Sequence, residues 1–119
     1  MGDYRSLKVW RRSHQLTLLV YQLTAHFPTS ERFGLTSQIR RAAASIPANL
    51  AEGCGRDSDA EIARFARISL GSANELEYHL LLAHDLGLLQ TIEFERMNGE
   101  ILIVKRMLAR LAFRLTTDD

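Results

Sequence analysis

The sequence predicts an all-α fold, an antiparallel up-down four-helix bundle forming one domain over residues 1–119. Three observations predict it. Apolar residues recur at three- and four-residue steps through four long stretches. Only two prolines, Pro28 and Pro47, interrupt the chain, whereas a β-sandwich carries turn signals about every 8–12 residues. Apolar residues make up 46% of the 119 positions, enough for one core without staples and too many for a disordered chain.

The first helix is expected at about 7–26. Val9, Leu16, Val20, Leu23 and Phe27 line one face, and Pro28 ends it. The second is expected at 35–52, with Leu35, Ile39, Ala43, Ile46 and Leu50 as its stripe. Gly53 and Gly55 are read as a left-handed stop. Pro47 has no N–H, so it frees the carbonyl of Ala43 and predicts a kink. The third helix is expected at 58–86. Ser58 followed by Glu61 reads as a capping box, and Gly87 as the stop. Its stripe is Ile62, Phe65, Ser69, Ala73, Leu76, Leu80 and Ala83. The fourth is expected at 91–115, capped by Thr91, with Phe94, Met97, Ile101, Val104, Leu108, Leu111 and Leu115 in register. Short connections make consecutive helices antiparallel neighbours.

Two helices carry more apolar surface than one bundle needs. The first has a second stripe of Leu7, Trp10, His14, Leu18 and Tyr21. The third is widened by Leu70 and Leu81 on one flank and by Ile68, Leu82 and Leu86 on the other. The second adds Ala44, Ala48 and Ala51 away from its stripe. This surplus predicts self-association through Trp10, His14, Tyr21, Ile68, Leu70, Leu81 and Leu82.

A net charge of +1 hides segregation. Residues 1–56 sum to +5, residues 57–95 to −6 and residues 96–119 to +2. Arginine outnumbers lysine 13 to 2, and guanidinium pairs bidentately with carboxylate or phosphate. Lys8, Arg11, Arg12, Arg40, Arg41, Arg106, Arg110 and Arg114 are the candidate contacts to RNA or single-stranded DNA. No aromatic residue is read as alternating with them, so the expected binding is to the backbone and tolerant of sequence.

Nothing points to catalysis, a cofactor or a metal. His14 and His26 stand alone, and no Glu-x-x-His pattern accompanies His79 or His84. Gly53-Cys54-Gly55 lacks the Gly-Lys-Ser/Thr of a phosphate loop. Glu52 is expected to pair with an arginine of its own or a neighbouring chain. The lone Cys54 fits a reducing cytoplasm. No run reaches the roughly 18–20 apolar residues of a membrane span, and Met1-Gly2-Asp3-Tyr4 begins no signal peptide.

The stretch Leu35-Thr36-Ser37-Gln38-Ile39-Arg40-Arg41-Ala42-Ala43-Ala44-Ser45-Ile46-Pro47-Ala48-Asn49-Leu50-Ala51-Glu52-Gly53 is distinctive. So are Val9-Trp10 and the run from Ala63 to Glu77. Over about Leu7 to Leu111 the chain resembles the 23S rRNA-intervening-sequence proteins, bacterial four-helix bundles. The resemblance implies a homopentameric ring of up-down bundles. A related group, the accessory variability determinants of diversity-generating retroelements, binds nucleic acid and a reverse transcriptase. The expected function is therefore a non-enzymatic assembly protein with a nucleic-acid or ribonucleoprotein accessory role. The alternative is an adaptor ring that docks a protein and no nucleic acid. Expected partners are a second copy, RNA or single-stranded DNA, and a reverse transcriptase or other protein.

Overall fold

Four helices form where the periodicity runs longest. The computed structural model of the chain describes residues 2–116; Met1 and Thr117–Asp119, with the charges of Asp118 and Asp119, lie outside it. Helix α1 spans Lys8–Thr24, α2 Leu35–Cys54, α3 Asp59–Asp85 and α4 Thr91–Thr116. Single 3-10 turns at Tyr4–Ser6 and Thr29–Glu31 precede α1 and α2. Three-residue turns are too short to leave a periodic signal, and the sequence reading missed both. No strand occurs among the described residues.

Each helix lies beside the next in the chain, and α4 returns beside α1. Partner numbers run in opposite senses. Thr17 meets Ala43 and Thr24 meets Arg40. Ile46 meets Ser69, while Gly53 lies against Phe65. Glu77 meets Lys105 and Arg67 meets Thr116. The enclosed core holds Leu16, Ile39, Ile46, Leu50, Leu76, Leu80, Ile101 and Leu108, all fully buried. The entire predicted stripe of the third helix is buried, as are Met97, Ile101, Val104, Leu108 and Leu111 of the fourth.

Three local expectations need correction. Gly53 and Gly55 are not left-handed; Gly55 has φ −78° and α2 runs on to Cys54. Gly53 serves close approach instead: a Cβ there would stand 2.8 Å from the Cβ of Phe65. Only Gly87, the predicted stop of α3, has a positive φ among the described residues, +80°. The capping box is half made. Ser58 Oγ accepts from the Glu61 N–H, but the Glu61 carboxylate turns to Arg64 instead of the Ser58 N–H. Thr91 is the first residue of α4 and no cap; its hydroxyl lies 3.1 Å from His84 Nε2.

Pro47 sits inside a continuous α2. The carbonyl it frees, on Ala43, lies 3.2 Å from the Thr17 hydroxyl of α1, whose single proton it shares with the Ser13 carbonyl at 2.8 Å. The helix–helix contact thus gives the acceptor that the proline orphans a shared donor. Removing that hydroxyl leaves a buried carbonyl without a partner, worth roughly 1–3 kcal/mol. Thr17→Val is expected to lower the unfolding free energy by about that amount in a urea titration, with Thr17→Ser close to wild type.

Candidate nucleic-acid interface

Helix order decides where the charge goes. Helices α1 and α4 together carry eight cations and three carboxylates. Helices α2 and α3 carry four cations and six carboxylates. Because α4 folds back beside α1, the basic first helix and the basic last helix share one side of the bundle. The net +1 therefore divides into a basic face and an acidic face.

On the basic face α1 and α4 do not close fully. A cleft of about 250 Å³ opens between the start of α1 and the C-terminal half of α4. Leu7, Val9, Met107 and Leu111 supply its apolar lining, and Lys8, Arg110 and Arg114 its charge. Ser6 completes the lining. The α1 N-terminus opens here with Leu7 as its cap residue. No side chain caps it, and no acidic residue lies in its first turn. Its uncapped N–H groups and dipole add positive potential at the mouth of the cleft. Lys8, Arg106 and Arg110 form no ion pair among the described residues. A second opening of about 190 Å³ lies further along the same seam, with Arg96, Glu93, His26 and Met97 among its lining residues.

The other sequence candidates fare differently. Arg12 is committed: its Nε and Nη2 donate to Glu100 Oε2 at 3.3 and 3.1 Å, tying α1 to α4. Arg40 is committed too. Its Nε donates to Thr24 Oγ1 at 2.8 Å and its Nη2 to the Tyr21 carbonyl at 3.3 Å. Its guanidinium lies 4.6 Å from the centre of the Tyr21 ring. Arg40 thus closes the C-terminus of α1. Arg41 faces away from the basic side, in a polar groove with Gln38, Ser45, Glu75 and His79. Arg11 is exposed near the cleft, its Nη1 donating to the Arg5 carbonyl at 3.0 Å. Of eight cationic candidates, the fold gathers Lys8, Arg110 and Arg114 into one place, with Arg11 and Arg106 alongside.

The expected assembly face is also redrawn. His14 is exposed, with its ring stacked 5.1 Å from that of Trp10. Tyr21, Ile68 and Leu81 are 45%, 40% and 42% exposed. Trp10, Leu70 and Leu82 are instead partly buried against the protomer's own core. Trp10 also meets Tyr4 edge-on at 4.9 Å. The 3-10 turn ahead of α1, absent from the helical reading, brings Tyr4 there. Phe113 was not expected near the α4 arginines, yet it stands exposed on the same side as Arg106 and Arg110.

Glu52 and Glu61 form ion pairs within the chain. Glu52 pairs with Arg56 at 3.2 Å, within its own chain. The hydrogen bond from Arg64 holds the Glu61 carboxyl below the usual carboxylate range. Burial pushes the Cys54 thiol above its ordinary value, which keeps it protonated and a poor nucleophile. Among the described residues no three histidine, cysteine or acidic side chains converge in a metal-binding group. No described helix is long and apolar enough to cross a membrane.

Residues 5–110 match the 23S rRNA-intervening sequence protein family. The chain belongs to this family. A solved structure of similar fold comes from Bacteroides thetaiotaomicron and is described as a protein of unknown function from the S23 ribosomal protein family. It is 25% identical, the match covers 87% of this chain and 94% of that one, and the TM-score is 0.81. No curated protein matches the chain. Membership accounts for the long Leu35–Gly53 resemblance and for the four helices. The family description speaks of gene position, so the reading of function rests on the faces of this 23S rRNA-intervening sequence protein.

Proposed function

We propose that this family member is a non-enzymatic accessory factor that binds the phosphate backbone of RNA or single-stranded DNA. It does so as an antiparallel up-down bundle assembled into a homopentameric ring. The observation that carries the reading is the basic side formed by α1 and α4, with Lys8, Arg110 and Arg114 around one cleft. Phosphates would be held by these cations and by the uncapped start of α1, with sugar or base edges against Met107 and Leu111. Repetition around a ring multiplies such a potential. Self-association would cover Tyr21, Ile68 and Leu81, which the protomer leaves open.

Fluorescence anisotropy with a labelled single-stranded RNA, repeated across a salt series, tests this. Three or four phosphate contacts predict a slope of log K against log salt of roughly −2 to −3. Absence of binding even at low salt rules the reading out. The rival reading, an adaptor ring for a reverse transcriptase or other protein, is favoured by Phe33, the most exposed large apolar residue at 89%. Nuclease-resistant co-purification of one protein, with no affinity for RNA, would select it.

A further inference from the structure

Helix α4 presents an outer stripe that the protomer leaves uncovered. Ile92, Leu102, Ile103 and Phe113 are 74%, 42%, 37% and 71% exposed. Glu95, Gly99, Arg106 and Arg110 are exposed as well. At 3.6 residues per turn these eight positions fall within about 100° of arc and extend over about 32 Å. Ile92, Gly99, Arg106 and Phe113 follow one another at seven-residue steps along its centre.

Exposure does not name the occupant of this stripe, but the order of residues does. Consider two copies of α4 side by side, running in opposite directions about a two-fold axis between Leu102 and Ile103. Ile92 then lies beside the partner's Phe113, and Leu102 beside the partner's Ile103. Glu95 lies beside the partner's Arg110. Gly99 faces the partner's Arg106, so the smallest residue meets the longest. A Cβ at Gly99 would have nothing within 4 Å, so the space for that side chain exists. Glu95, Arg106 and Arg110 have no ion-pair partner among the described residues of their own chain. A parallel pair would set Arg106 on Arg106 and Glu95 on Glu95, which repel. The stripe is self-complementary in one direction only.

We propose that α4 pairs antiparallel with α4 of a second copy, through the Leu102–Ile103 contact and the Glu95–Arg110 ion pair. This is an isologous contact, in which each pair is made twice. It does not require the nucleic-acid reading, with which it competes for Arg110, nor does it depend on which contacts close a ring. A stripe about 32 Å long and about 10 Å wide covers far less than the roughly 800 Å² per partner of a standard interface. The association is therefore at the weak, transient end of protein–protein contacts.

Sedimentation equilibrium of the full chain, from micromolar to millimolar concentration, tests the pairing. The expected result is a mass that doubles with concentration, relative to the unit present at the lowest concentration, whether that unit is one chain or a ring. Glu95→Arg and Arg110→Glu are each expected to weaken the doubling by about tenfold. Combining them in one chain reverses both halves of the pair and is expected to restore it. A wild-type mass that never doubles, or a combined variant no better than the single ones, overturns the proposal. Direction is read by cross-linking. Positions 99 and 106 are about 10 Å apart along one helix, too far for an internal disulfide, and the native Cys54 is buried. Gly99→Cys combined with Arg106→Cys is expected to form disulfide-linked dimers on oxidation. Equal cross-linking by Gly99→Cys alone would mean parallel pairing and overturn the assignment.

Discussion

Leu76→Ala is expected to destabilise the protein by roughly 3 kcal/mol, the middle of the range for a leucine truncated in a rigid core. Leu76 is fully buried, near the middle of α3, the helix that lies against both α2 and α4. The core cluster it belongs to, with Ile39, Leu80 and Ile101 among its members, comes from packed helices that collapse only partly onto the space left behind. Against a total stability of about 5–15 kcal/mol, this loss should lower the melting temperature by roughly 10 °C or more. Leu81→Ala is the informative contrast. Leu81 is 42% exposed in the protomer, so its loss should cost under about 1 kcal/mol if no other chain covers it. A larger loss that depends on protein concentration would mean that a second copy buries Leu81. Calorimetry at two concentrations separates the two outcomes. If Leu76→Ala melts like wild type, α3 is not the centre of the core.

Reversing Lys8 and Arg114 together is expected to weaken binding to single-stranded RNA by roughly 10–100-fold at 100 mM salt, and to flatten the salt slope by about 1.4. The two residues come from opposite ends of the chain and meet only at the α1–α4 cleft. Each reversal removes one cation and adds a carboxylate beside the path of the phosphates. Arg41→Glu is the control, because Arg41 lies between α2 and α3 in the groove that also holds Glu75. It should leave affinity within about twofold. Lys8 is exposed and forms no ion pair among the described residues, so Lys8→Glu alone should move the thermal melt by no more than about 0.5 kcal/mol equivalent. Equal loss from Arg41→Glu would place the binding elsewhere, and no loss from Lys8→Glu with Arg114→Glu would remove the cleft from the account.

The cationic candidates show how far residue type alone carries. Arg40 and Arg41 are adjacent in sequence and equivalent in charge. The helical turn places one against Thr24 and the Tyr21 ring and the other in an open groove. Arg12 looked like part of a basic cluster with Lys8 and Arg11, yet Glu100, 88 residues away, neutralises it. Such pairings depend on which helices are neighbours, and periodicity reports one helix at a time. The outer stripe of α4 was missed for a related reason. Leu102, Ile103 and Phe113 are interleaved with Arg106 and Arg110, so the charges masked an apolar pattern beneath them.

Periodic burial is a property of each segment, so the sequence by itself determined the four helices, their core stripes and their approximate ends. It also determined family membership, because Leu35–Gly53 carries that signature in its residues. Tertiary structure alone decided that the basic first and last helices share a face, that the Thr17 hydroxyl lies against the carbonyl released by Pro47, and that Arg40 is occupied while Lys8 and Arg110 form no ion pair among the described residues. The physical reason is range. Backbone preference and hydrophobic period act over a few residues, whereas electrostatic and hydrogen-bond partners are set by which helices the closing of one common core brings side by side.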